Sequence, residues 1–184
     1  AYAQLADAMA LTDPSNPKWK AEQGYAANSL GALFLNRRQP EKAIVQFRRY
    51  VAVTADLAAA APGDGNRQWE AGQAQGWLAD ALRTNGRVAE ARQARTQELG
   101  IYAAMLAADP RRADVRMAQA RTQEALAELD LLEGDVGAAV ARTGIALADL
   151  EEQIDDDPDN GLLQSLAVSA ANRRAEALAL AGQW

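Results

Sequence analysis

Four prolines stand at Pro14, Pro62, Pro110 and Pro158, each 48 residues after the last, and three of them follow an aspartate (Asp13, Asp109 and Asp157). Glycine keeps the same interval at Gly86, Gly134 and Gly182, with Arg38 at the first equivalent place. Leucine does so at Leu30, Leu78 and Leu126, each followed by a small residue, Gly31, Ala79 or Ala127. Five residues past each glycine position lie Ala43, Ala91 and Ala139. Agreement at several independent positions on one interval does not arise by chance. It narrows the fold sharply, because a unit repeated at fixed period must bury its apolar face on the next unit.

Each unit reads as two helices. Between proline and glycine, segments such as "WKAEQGYAANSLGALFLN" place apolar residues at helical spacing, and after the glycine "RVAEARQARTQELGIYAAMLAA" continues to the next Asp-Pro. Glycine permits the left-handed turn that ends the first helix, and proline punctuates the end of the second. Helices are expected near 1–11, 17–37, 40–60, 66–84, 87–107, 111–132, 135–155 and 160–181. The small residues let paired helices approach while the leucines fill the space between them. The fold expected is all-α, a right-handed solenoid of stacked antiparallel helix pairs running as one array over 1–184. Its units would be 15–62, 63–110 and 111–158, flanked by half-units at 1–14 and 159–184. The chain opens inside a second helix, closes after a first helix at "LALAGQW" and lacks an initiator Met, so a fragment of a longer array is expected.

Composition agrees and excludes several chemistries. About half the residues are apolar (49%) but only 5% are aromatic, and alanine is abundant, which favours close-packed helices over sheets. There is no cysteine and no histidine. Disulfides, thiolate chemistry, Ser-His-Asp and Cys-His catalysis, and the commonest metal ligand are therefore absent. Carboxylates, lysine or serine could still support a reaction, so catalysis is made less probable rather than excluded. No cofactor or metal is expected. No apolar run reaches 18 residues and "AYAQLADAMALTDP" shows no signal peptide, so no membrane insertion and a cytoplasmic setting are expected.

These positions resemble the tetratricopeptide repeat, whose pattern runs W-x2-L-G-x2-Y, then a small residue, an aromatic and a closing proline. The first unit matches best, with Leu30, Gly31 and Phe34, then Ala43 and Phe47. The second supplies Leu78, Ala79, Leu82, Gly86 and Ala91 but has Arg95 at the second aromatic position. The third supplies Leu126, Ala127, Gly134 and Ala139, with Asp130 and Thr143 at the aromatic positions, and the last half-unit has Arg174 where leucine belongs. The period exceeds the family's usual 34 by 14 residues, about 10 Å more in each helix. Long units with a joint like "DPSNPKW" are similar to arrays attached to bacterial signalling proteins.

The resemblance implies recognition of a protein or peptide in a concave groove lined by the first helices. It places Asn28, Gln73, Trp77, Asp80, Arg83, Arg121, Glu124, Glu128, Asn172, Arg173 and Glu176 on or near that groove. The positions matching the carboxylate clamp of chaperone-tail binders hold Asn28, Ala32, Trp77, Arg121 and Ala125, at most one cation, so a chaperone tail is not the expected ligand.

Several features admit a plainer reading. Trp77 either packs between units or contacts a ligand; Trp19 and Trp69 read as staples at the joints, and Trp184 is given no role. Glu124 and Glu128 share a helical face, as an ordinary solvated face would, or to meet a basic ligand. "EEQIDDDPDN" lacks the glutamate that would close a calcium loop and reads as an acidic helix end. Arg37, Arg38, Arg48 and Arg49 form a basic cluster near the first hairpin. Residues 1–62 hold seven basic and five acidic groups, and 111–184 hold seven and fourteen, with a net charge of −6 for the chain. Such acidity disfavours nucleic acid. The expected function is non-catalytic protein binding within a larger bacterial protein. The alternative is a structural spacer or oligomerisation module that self-associates through open repeat ends.

Overall fold

The computed structural model describes residues 2–182. Ala1, Gln183 and Trp184 lie outside the described residues. Eight α-helices follow in order: α1 (Tyr2–Thr12), α2 (Pro17–Asn36), α3 (Pro40–Ala60), α4 (Gly65–Thr84), α5 (Val88–Ala108), α6 (Ala113–Leu132), α7 (Val136–Asp156) and α8 (Gly161–Leu180). There is no strand among the described residues. Every boundary lies within two residues of the expectation. The period is carried through to the backbone: α2, α4, α6 and α8 begin 48 residues apart, and so do α3, α5 and α7.

The turns show why. At the end of α2, α4 and α6 the chain reverses through one left-handed residue: Arg38 (φ 55°), Gly86 (φ 72°) and Gly134 (φ 82°). Each turn closes with the same pair of backbone hydrogen bonds, Gln39 N–H to the Phe34 carbonyl and Arg38 N–H to that of Leu35 in the first, and Arg87 to Leu82 with Gly86 to Arg83 in the second. This six-to-one and five-to-two arrangement satisfies carbonyls that the helix end leaves free. Helix starts repeat as well. Asn16, Asp64, Arg112 and Asn160 are the N-caps of α2, α4, α6 and α8, again 48 residues apart. Three of them accept backbone N–H bonds through their side chains, whereas Arg112 has no acceptor to offer and instead pairs with Asp114.

Packing divides the chain into two compact units, one ending at Ile101 and the other beginning at Tyr102. In the first, α1 packs on α2, α2 on α3 and α3 on α4. Its core includes Ala27, Tyr50 and Ala74 with Val51 alongside, together with Phe47 and Ile44, both fully enclosed. Gly31 is needed here, because a Cβ on it would lie 2.6 Å from the Phe47 ring. In the second unit α6 packs on α7 and α7 on α8. Ala120, Ala146, Leu150, Leu163 and Ala170 form one core cluster, and Ala127, Ala139 and Ala177 another. Ala43, Ala91 and Ala139, five residues past each glycine position, all have no solvent exposure (0%), which is why no larger residue occurs there.

The departures from the repeat pattern have local explanations. Arg95 is held by Glu98 at 2.7 Å and Asp80 at 2.5 Å, so an ion-pair cluster replaces the missing aromatic. Gly76 makes room for it, since a Cβ there would sit 2.7 Å from Glu98 Oε1. Asp130 is only 2% exposed and accepts from Arg142 Nε at 2.8 Å, while Thr143 returns its hydroxyl to the Ala139 carbonyl at 2.8 Å. Arg174 reaches across Gly144 to the Val140 carbonyl. The expected basic cluster is dispersed: Arg48 pairs with Glu90, Arg49 with Asp7, and Arg37 and Arg38 remain exposed.

Candidate functional site

The first helices α2 and α4 are tied on one side by Tyr25, whose hydroxyl donates to Glu70 Oε1 at 2.7 Å. That bond raises the Tyr25 pKa, with burial and the Glu70 charge adding to it. Arg67 Nη1 holds the other oxygen of Glu70 at 3.1 Å. Along α4, Trp77 stacks on Phe47 of α3, ring centroids 5.8 Å apart and planes 13° from parallel, yet stays 40% exposed. The packing expected of Trp77 is present, and part of the side chain meets solvent. Such a stack contributes about 0.5–1.5 kcal/mol beyond burial and fixes the indole in one orientation. Asn28 and Gln73 are half-buried, and Asn28 Oδ1 is shielded from solvent without a hydrogen-bond partner. Asp80 is occupied by Arg95, whereas Arg83 is exposed at the end of α4.

In the second unit α6 and α8 lie side by side, and the predicted residues there are brought together. Ser169 Oγ donates to Glu124 Oε2 at 2.8 Å, and Arg173 Nη2 lies 4.0 Å from Glu128 Oε2. Asn172, Arg173 and Glu176 line an open depression of about 440 Å³ with Ser165, Val168 and Ser169. Arg121 is exposed.

Glu124 departs from the solvated-face expectation. It is 7% exposed, because the neighbouring helix covers it. Burial pushes its carboxyl above the usual range, against the opposing effects of the Ser169 bond and of Arg173 and Arg121. Glu128 is half-buried. Among the described residues no group of three or more carboxylates is placed to hold a metal ion.

Tyr25, Glu70, Ser165 and Ser169 were not singled out from sequence. A signal existed, because Tyr25–Glu70, Glu124–Ser169 and Glu128–Arg173 are each separated by 45 residues. One period less three places both partners on the same face of successive first helices.

No family model matches the chain, and no curated protein matches it. Among solved structures it is similar to a Podosopora anserina protein assigned as a kinesin light chain with nearly identical TPR-like repeats. The two share 21% identity over 98% of this chain and 82% of that one, with a TM-score of 0.57. The DHF79 filament matches at 14% identity over 93% of each chain with a TM-score of 0.36, too weak to bear on the fold. The first likeness and the eight helices establish an all-α solenoid of TPR-like repeats.

Proposed function

We propose that this chain is a non-catalytic scaffold that binds a protein or peptide segment along the inner faces of its first helices, α2 with α4 in one unit and α6 with α8 in the other. The observation that carries the reading is Trp77: a large aromatic held by a stack on Phe47 while still offering 40% of its surface. Aromatics fixed in this way lose little freedom on docking and are frequent binding anchors. Polar groups on these helices supply hydrogen bonds and charge within each unit: Asn28, Gln73 and Arg83 in the first, and Arg121, Glu124, Glu128, Asn172, Arg173 and Glu176 in the second. The long unit and its Asp-Pro joint support a setting within a larger bacterial protein. Among the described residues no helix is long and apolar enough to cross a membrane.

The test compares captures from source lysate by the parent chain and by a Trp77→Ala, Arg83→Ala, Arg121→Ala variant, with folding checked by circular dichroism. A Trp77→Phe variant separates loss of the stack from loss of a contact. A protein retained by the parent and lost by the triple variant supports the groove; identical captures refute it.

Self-association is the second reading, favoured by apolar residues exposed on α1 (Leu5 and Leu11) and α8 (Leu162, Val168 and Leu180). A mass that falls on dilution in light scattering would support it, and a constant monomer mass would remove it.

A further inference from the structure

We propose that the inner face of the second unit holds a subsite for a lysine or arginine side chain of a bound segment, centred on Glu124 Oε1. The proposal rests on the groove reading and names the partner's chemistry at one point of it.

Glu124 sits midway along α6, more than nine-tenths buried. Its Oε2 accepts from Ser169, but Oε1 is enclosed and has no hydrogen-bond partner. An ionised carboxylate offers about four acceptor positions, and burying one without compensation is costly. Arg173 and Arg121 favour the charged form from a distance, but neither donates a hydrogen bond to Oε1: Arg173 lies against Glu128, and Arg121 is exposed to solvent.

The fold does not require this charge either. The equivalent positions in the other units, at whole periods of 48, hold Asn28, Gly76 and Asn172, all neutral, on helices of the same length and start. The carboxylate at 124 is thus a local addition to the repeat. Its partner Ser169 lines the open depression on α8, which places the side chain that holds Oε2 at the surface.

The chemistry of an incoming group follows. Oε1 asks for an N–H or O–H donor, and the surroundings favour a positive one, since residues 111–184 carry fourteen acidic against seven basic groups. A metal ion would want more carboxylates than this place assembles. The long, N–H-bearing side chain of lysine or arginine meets each requirement: it reaches inward from an open surface, donates to Oε1 and neutralises the buried charge.

Nitrogen-15 NMR titration of the whole chain with Ac-Ala-Arg-Ala-NH2 and Ac-Ala-Lys-Ala-NH2 tests this, with the neutral citrulline peptide of the same shape as control. The amides of Glu124, Ser169 and Asn172 are expected to shift, with the charged peptides binding at least about tenfold more tightly than citrulline. Glu124→Gln keeps the size and the acceptor for Ser169, and it should reduce the charged peptides to the citrulline level. An unchanged spectrum away from the site shows that the variant is folded. Equal binding of arginine and citrulline, or binding unaffected by Glu124→Gln, would overturn the subsite while shifts on the inner face of α6 and α8 still supported a groove. Absence of any shift there also overturns the subsite, and the capture comparison decides the groove reading separately.

Discussion

Replacing Gly31 by alanine should invert the usual rule for helices. In a helix interior, glycine to alanine ordinarily gains about 0.5–1 kcal/mol. At Gly31 the new methyl would fall 2.6, 2.7 and 2.8 Å from three atoms of the Phe47 ring. That ring is fully buried, and Trp77 is stacked against it, so it has little room to retreat. Overpacking of this kind costs about 1–3 kcal/mol, which leaves a net loss of roughly 0.5–2 kcal/mol. For a chain of this size that lowers Tm by about 1–8 °C, read by circular dichroism at 222 nm. The repeat contains the compensation: Ala79 and Ala127, at the same position as Gly31, go with Arg95 and Thr143 instead of phenylalanine. Gly31→Ala in a Phe47→Leu background should therefore be neutral or stabilising. A rise in Tm for the single variant would refute the packing argument. So would a coupling between the two sites smaller than about 0.3 kcal/mol.

Arg38 occupies a left-handed position that its counterparts fill with glycine, so Arg38→Gly should gain about 1 kcal/mol in urea unfolding, and Gly86→Ala should lose a similar amount. Arg112→Asn gives α6 the side-chain cap that α2, α4 and α8 have; a gain of about 1 kcal/mol is expected, because the exposed pair with Asp114 contributes little. Burial pushes the Tyr50 hydroxyl up to about 12. Its pKa is raised on folding, so the stability it contributes is full below about pH 10, where the unfolded side chain titrates, and is lost as pH rises through about 12. Alkaline melts should show that loss in the parent, about 2–3 kcal/mol, and a smaller one in Tyr50→Phe. Glu124 is also raised by burial, so its stability contribution is present below the unfolded value, near pH 4, and lost as pH rises through the folded one. Glu124→Gln should accordingly raise Tm at pH 7 and have no such effect near pH 4.

Several elements were readable from residues alone, because each depends on a few neighbours along the chain. A left-handed turn needs Gly86 or Gly134 at one place, and a helix start needs an oxygen such as that of Asn16, Asp64 or Asn160 at another. Repeated at one interval, these local demands set the number, length and order of the helices, and the small residues at Gly31, Ala79 and Ala127 marked where the pairs come together.

Side-chain fates were of another kind. Spacing along one helix put Glu124 and Glu128 on a common face but could not say that α8 would cover the first while Arg173 approached the second. The same holds for the cluster of Arg95 with Asp80 and Glu98, for the dispersal of Arg48 and Arg49 to Glu90 and Asp7, and for the packing of one Trp77 face on Phe47. Local sequence therefore determined the helices, turns and caps of this protein, since the forces that make them act within a few residues. Burial, charge pairing and the point where packing parts, between Ile101 and Tyr102, came from contacts between helices, because desolvation and Coulomb energy depend on what lies across a surface, often 45 residues away.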